Sequence, residues 1–228
     1  MSLNLLRWPL IALTFCLSGC DSGVANSSDG SGASAGEGRK ETETTLAQKA
    51  GAPLFDGMGT FSMPITTANP EAQRYFDQGM VLAFAFNHAE SVRSFRAAQT
   101  LDPGCAMCFW GEALATGPNI NVTSKGKVIM SPSERVAAFA ALQSALALKD
   151  GVSEHEAAYI DALAKRYNGE PDTDREPLDF AWASAMGELS ATYPDDMNAA
   201  SIYAEALMNT MPWNYWSEDG IAKKETAA

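Results

Sequence analysis

Apolar residues recur at three- and four-residue intervals through most of the chain after Asn69, with polar residues between them. That spacing gathers the apolar side chains on one face of a helix. It predicts helices over 70–85, 87–101, 106–116, 132–149, 153–168, 174–193 and 196–210. Their starts carry capping chemistry. Asn69-Pro70-Glu71 supplies a side-chain acceptor, then proline at the first helical position, then an acid in the first turn. Ser131-Pro132-Ser133-Glu134 and Ser153-Glu154-His155-Glu156 have the reciprocal serine–glutamate pattern, and Asn87 stands three residues before Glu90. Asp195-Asp196 opens the last helix. Alanine dominates the apolar set and β-branched runs are scarce, which disfavours strands. Connections are mostly short, so the expected fold class is all-α, built from antiparallel helix pairs.

The N-terminal end reads differently. Residues 1–19 have the order of an export signal: Arg7, then the ten apolar-rich residues Trp8 to Leu17, then small residues. Ten residues are too few to span a bilayer. Leu17-Ser18-Gly19-Cys20 resembles the bacterial lipobox. That resemblance implies cleavage before Cys20, a diacylglycerol on its thiol and further acylation with chains such as palmitate, which together anchor stably. It places the mature chain in the bacterial cell envelope, facing the periplasm. Asp21 resembles an inner-membrane retention signal. Residues 20–45 are Ser, Gly, Ala and acid with little to bury, and read as a disordered tether. Its r.m.s. reach is about 30 Å. Residues 46–69 scatter Leu54, Phe55, Met58, Phe61 and Met63 among Gly and Pro, and read as an irregular arm on the first helix.

A 34-residue helix–turn–helix repeat can be laid on the chain from its late proline. With Pro103 at that position, Tyr75 falls on the first aromatic position and Gly79 on the small position where two helices approach closely. Ser91 and Ala98 take the later small positions, and Phe95 the large one between them. Gln78 and Leu82 depart from the usual Leu and Tyr. Arg93 and Arg96 fall outside the contact positions. A weaker echo pairs Trp110-Gly111-Glu112-Ala113-Leu114 with Tyr203-Ala204-Glu205-Ala206-Leu207, with an insertion at 117–131. Residues 70–217 resemble a family of long bacterial exported tetratricopeptide-repeat (TPR) proteins. The resemblance implies a TPR-like α-solenoid whose A helices line a concave groove. It also implies further helix pairs, so 218–228 read as the start of another helix or tail and the sequence as a fragment of a longer chain.

Composition narrows the function. The chain is 46% hydrophobic with a net charge of −12, which suits a folded domain and argues against a nucleic-acid partner. Cys105-Ala106-Met107-Cys108 is the most chemical motif. Without a following His it is no haem site. It leaves a local disulfide, a redox dithiol or a soft-metal site. His88 and His155, the only histidines, read as solvated first-turn residues. There is no phosphate loop, no G-x-S-x-G and no acid pair fixed by spacing, so no catalytic constellation or cofactor is expected. Glu112, Asn119, Asn121, Glu205, Trp213, Tyr215 and Trp216 are the groove candidates, with the indoles at 213 and 216 equally open to a core role. Trp110 and Trp182 read as core. Two functions follow: a lipid-anchored scaffold for an envelope protein or peptide, or a metal- or redox-handling protein using Cys105 and Cys108.

Overall fold

The computed structural model describes residues 45–122 and 129–226. The leader, Cys20, Asp21 and the tether before residue 45 lie outside them. The described residues are helical, with only the isolated bridges Asn119–Val122 and Trp216–Ala222 as β-structure. A short helix α1 (45–50) is followed by α2 (Pro70–Phe84), α3 (His88–Leu101), α4 (Ala106–Thr116), α5 (Pro132–Leu148), α6 (Glu154–Leu163), α7 (Glu176–Thr192) and α8 (Met197–Thr210). Single 3₁₀ turns follow α5 (Lys149–Gly151) and α6 (Ala164–Arg166), and a third covers Lys224–Thr226. No helix among the described residues is long and apolar enough to cross a membrane.

The caps work as their chemistry requires, with one exception. Asn69 accepts from Glu71 N, and Asp196 from Asn198 N and Ala199 N. Ser131–Glu134 and Ser153–Glu156 close reciprocal capping boxes. Asn87 makes no side-chain cap bond; Glu90 pairs with Arg93 instead. The 153–168 segment is also not one helix. It ends at Leu163 and tightens into the 3₁₀ turn, which swings Arg166 and Tyr167 inward. Arg166 Nη2 then donates to the Pro118 carbonyl, and Tyr167 Oη to that of Ala113 at 2.7 Å.

Successive helices pack as hairpins, α2 on α3, α3 on α4, α4 on α5 and α7 on α8, while α4 also touches α2 and α6. The tightest point is the Phe95 ring, fully buried between two glycines. A Cβ added at Gly79 would lie 2.7 Å from it, and one at Gly111 closer still. Phe76 meets the same ring edge-on at 5.5 Å. Tyr75, Ser91 and Ala98 are fully buried as well, and Ser91 Oγ donates to the Gly79 carbonyl at 2.7 Å. Arg96 is not idle: its Nε binds Glu112 at 2.7 Å and ties α3 to α4.

The arm is irregular only after residue 50. Leu46 and Ala50 of α1 pack with Tyr75, Ala98 and Cys105 in a small core of their own. The arm's backbone then finds partners along the middle of α2. Tyr75 Oη donates to Ala52 O at 2.6 Å, Gln78 bonds Pro53 O and Phe55 N, Asp77 accepts from Met63 N, and Gln73 accepts from Ile65 N. At its far end Thr66 donates through both N and Oγ1 to the Glu156 carboxylate, each at 2.6 Å.

Candidate functional site

The C-terminal part of α2, the end of α4 and one side of α8 enclose a cavity of about 220 Å³. Its walls are largely apolar: Met80, Ala83 and Phe84 from α2, Leu114 and Ala115 from α4, and Ile202 and Met208 from α8. Phe86 and Pro118 close it from the adjoining turns. Four groups with strong polar character face this space: His88, Asn119, Arg166 and Glu205.

Arg166 is the most unusual of them. It is 1% exposed. Its guanidinium lies over the Trp182 ring, 5.3 Å from the centroid. One Nη donates to Pro118 O, and Nε has no partner. Among the described residues no carboxylate makes an ion pair with it. The neighbouring Arg175 donates to the Arg166 carbonyl at 2.8 Å and pairs with Asp179 inside the protein. Glu205 Oε1 accepts from Asn209 Nδ2 at 2.7 Å. Burial holds the Glu205 carboxyl above the ordinary carboxylate range, and the Arg166 charge only partly offsets this. The His88 ring nitrogens are shielded from solvent and neither reaches a partner in hydrogen-bond geometry. Burial lowers its pKa and the Arg166 charge acts in the same direction, which favours the neutral imidazole; the Ala115 carbonyl opposes that shift. Asn119 is buried, and its Oδ1 accepts from the backbone of Asn121 and Val122.

The turn between α2 and α3 is strained at this site. Phe86 N donates to Ala83 O and Asn87 N to Leu82 O, the paired bonds of a helix end in which the residue between takes left-handed backbone. That residue is usually glycine; here it is Phe86, at φ 59°. A left-handed non-glycine residue costs about 1–2 kcal/mol. Strain of this kind persists where the surrounding structure holds it, and it clusters at functional sites. Its ring is half-exposed at the cavity edge and meets His88 edge-on at 5.8 Å. Trp213 repeats the device at φ 61° in the turn closed by Asn214 N to Met211 O. Its indole N–H donates to the Ile120 carbonyl at 2.8 Å and so holds the 119–122 turn.

The structure brings some of the expected groove residues together and separates others. Asn119 and Glu205 share the cavity. Asn121 is exposed beside it, and Trp213 braces its rim. Tyr215 and Trp216 lie in a second cavity, with Leu207 and Met211. Glu112 does not line the cavity. It is buried and accepts from Arg96 Nε and Gln99 Nε2, both at 2.7 Å, so it fastens α4 to α3. The solvated reading of His88 is corrected, because both its nitrogens are covered. Arg166 went unnoticed in the sequence, where nothing distinguishes it from Lys165. His155 is structural: its Nε2 pairs with Asp196 at 2.9 Å, between the rings of Tyr159 and Tyr193.

Cys105 and Cys108 form a disulfide across the first turn of α4, both sulfurs fully buried. Cys105 is also that helix's cap, its Sγ accepting from Cys108 N at 3.1 Å. Among the described residues no three His, Cys, Asp or Glu side chains gather in a way that could hold a metal ion. The chain matches no family model, no curated protein and no solved structure.

Proposed function

We propose that this chain is a lipid-anchored scaffold of the bacterial envelope, TPR-like in its repeat, that holds an envelope protein or peptide against the face where α2, α4 and α8 meet. The observation that carries this reading is the cavity between those three helices. It is apolar, open on one side and edged by the exposed rings of Phe84 and Phe86. Apolar walls with a few fixed polar groups are what recognition sites are made of. The Gly79–Phe95–Gly111 contact supports the repeat register, since it sets small residues of two successive A-type helices against one large residue of the helix between. The lipobox-like Leu17-Ser18-Gly19-Cys20 supports the anchor. The buried, paired sulfurs of Cys105 and Cys108 lend nothing to a metal or redox role.

Site-specific photo-crosslinking in intact cells tests the reading. A benzophenone side chain at Ser201, exposed at the cavity, should give a discrete adduct in the membrane fraction. The same group at Val136, exposed on α5, should not. Equal patterns from both positions, or no adduct from Ser201, would refute the scaffold. Mass spectrometry should find a diacylglyceryl adduct on Cys20 and no residues 1–19; a soluble product with an unmodified thiol would remove the anchor.

A further inference from the structure

The bond to Pro118 uses one Nη of Arg166 and leaves its buried Nε without a partner. Removing a guanidinium from water is costly unless a counter-charge meets it. Arg166 has a carbonyl, an aromatic face and an unpaired Nε, makes no ion pair with Glu205 across the same space, and borders a cavity whose walls are largely apolar. Asn119 borders the same space. From this geometry we propose that the cavity takes a monocarboxylate with a short apolar body, its carboxylate on Arg166 and its body against Met80, Leu114 and Ile202. The proposal rests on the reading of this face as a ligand site and names the chemistry that fills it.

A carboxylate is the planar acceptor that matches a guanidinium fork, and a charge-assisted bond of this kind is strongest out of water. The volume sets the size of the body. About 220 Å³ is the space of roughly seven waters at ~30 Å³ each, enough for a branched chain of a few carbons. Burial favours the neutral form of Glu205, and a neutral carboxyl can donate to an anion. The neutral imidazole of His88 adds no competing charge. Such a carboxylate has two sources, a free short-chain acid or the last residue of a polypeptide, and the cavity chemistry is the same for both.

Calorimetric titration of the full chain distinguishes them. Isocaproate should bind at one saturable site about tenfold or more tighter than isocaproamide, which lacks only the charge. N-acetyl-leucine binding at least as well as isocaproate identifies a polypeptide terminus; weaker binding identifies a free acid; either supports the carboxylate site. Equal affinity of acid and amide, or no binding of either acid, overturns it. Arg166→Gln should abolish the preference for acid over amide. Because that residue also braces the fold, Ala83→Phe provides an independent arm: it fills the cavity from a half-buried position and should keep the helical circular dichroism while losing the acid. Undiminished binding by folded Ala83→Phe would refute the location. Crosslinking from Ser201 without acid binding leaves the scaffold and removes this inference; acid binding without crosslinking does the reverse.

Discussion

Phe95 and Gly111 should be energetically inseparable. The Phe95 ring is fully buried, edge-on to Phe76, and leaves no room for a Cβ at Gly111. Phe95→Ala removes a buried aromatic side chain and should cost about 3–5 kcal/mol. Gly111→Ala in the otherwise unchanged protein gains about 1 kcal/mol of helix propensity. It also drives a methyl into the ring, and overpacking costs about 1–3 kcal/mol. The net is a loss of up to about 2 kcal/mol. In the Phe95→Ala background the obstacle is gone and only the propensity gain of about 1 kcal/mol remains. The second substitution therefore changes sign, and the coupling between the two sites should reach about 1–3 kcal/mol. Urea unfolding followed by far-ultraviolet circular dichroism on the four proteins of the cycle measures it. Additive effects within about 0.5 kcal/mol would mean that the ring does not fill the gap between α2 and α4. The same result would remove the repeat register and the face derived from it. Arg93→Ala, at an exposed surface pair, serves as the control and should leave the midpoint unchanged.

Phe86→Gly should leave stability unchanged or raise it by about 1 kcal/mol, because glycine accepts left-handed backbone without the Cβ penalty; a clear loss in thermal unfolding would contradict the strain. Asp196 and Glu156 carry carboxyls held below their ordinary values, burial opposing the shift and hydrogen bonds from Tyr159 and from Thr66 and Ser153 driving it. At these two groups the folded state binds fewer protons than the unfolded one, so their contribution is present above the ordinary values and is lost as pH falls through the folded ones, below about pH 4. Glu156→Gln should flatten that acid loss in urea midpoints taken between neutral and acid pH, and an unchanged slope would refute it. The Cys105–Cys108 bond should resist dithiothreitol until the protein unfolds, since both sulfurs are buried. Its loss should lower stability by less than about 2 kcal/mol, because the closed loop is so short. Rapid alkylation of both thiols in the native protein would contradict the pairing.

Helix positions were legible because they depend on local chemistry. Apolar spacing and the Asn69, Ser131, Ser153 and Asp196 caps each act within one or two turns. What escaped was set by contacts distant in sequence. The end of α6 at Leu163 follows from Arg166 and Tyr167 reaching carbonyls 48 and 54 residues away. Helix α1 forms where Leu46 and Ala50 meet the core around Tyr75, a partnership no local pattern encodes. The site divides in the same way. Asn119 and Glu205, expected on a groove from their places in or just after corresponding helices of a repeat, line one cavity. Glu112 matches the same pattern but turns away from the cavity, to Arg96 and Gln99 on a neighbouring helix. Arg166 and His88 could not be recognised, because it is the surrounding tertiary walls that make them unusual. Phe86 was hidden by the absence of glycine from a turn that ordinarily calls for one.

The arm gives the molecule a particular mechanical character. Its backbone is fastened to α2 at Ala52, Pro53, Phe55, Met63 and Ile65, and then to α6 through the doubled Thr66–Glu156 clasp. A pull on the chain before residue 45 reaches these attachments one after another, like stitches opening along a seam. Most are single bonds to flexible side chains, each yielding at low force and reforming when the load falls. Because the first of these bonds end on Gln73, Tyr75, Asp77 and Gln78, a load on the arm enters α2 at several points rather than one, and the last to open is the clasp on α6.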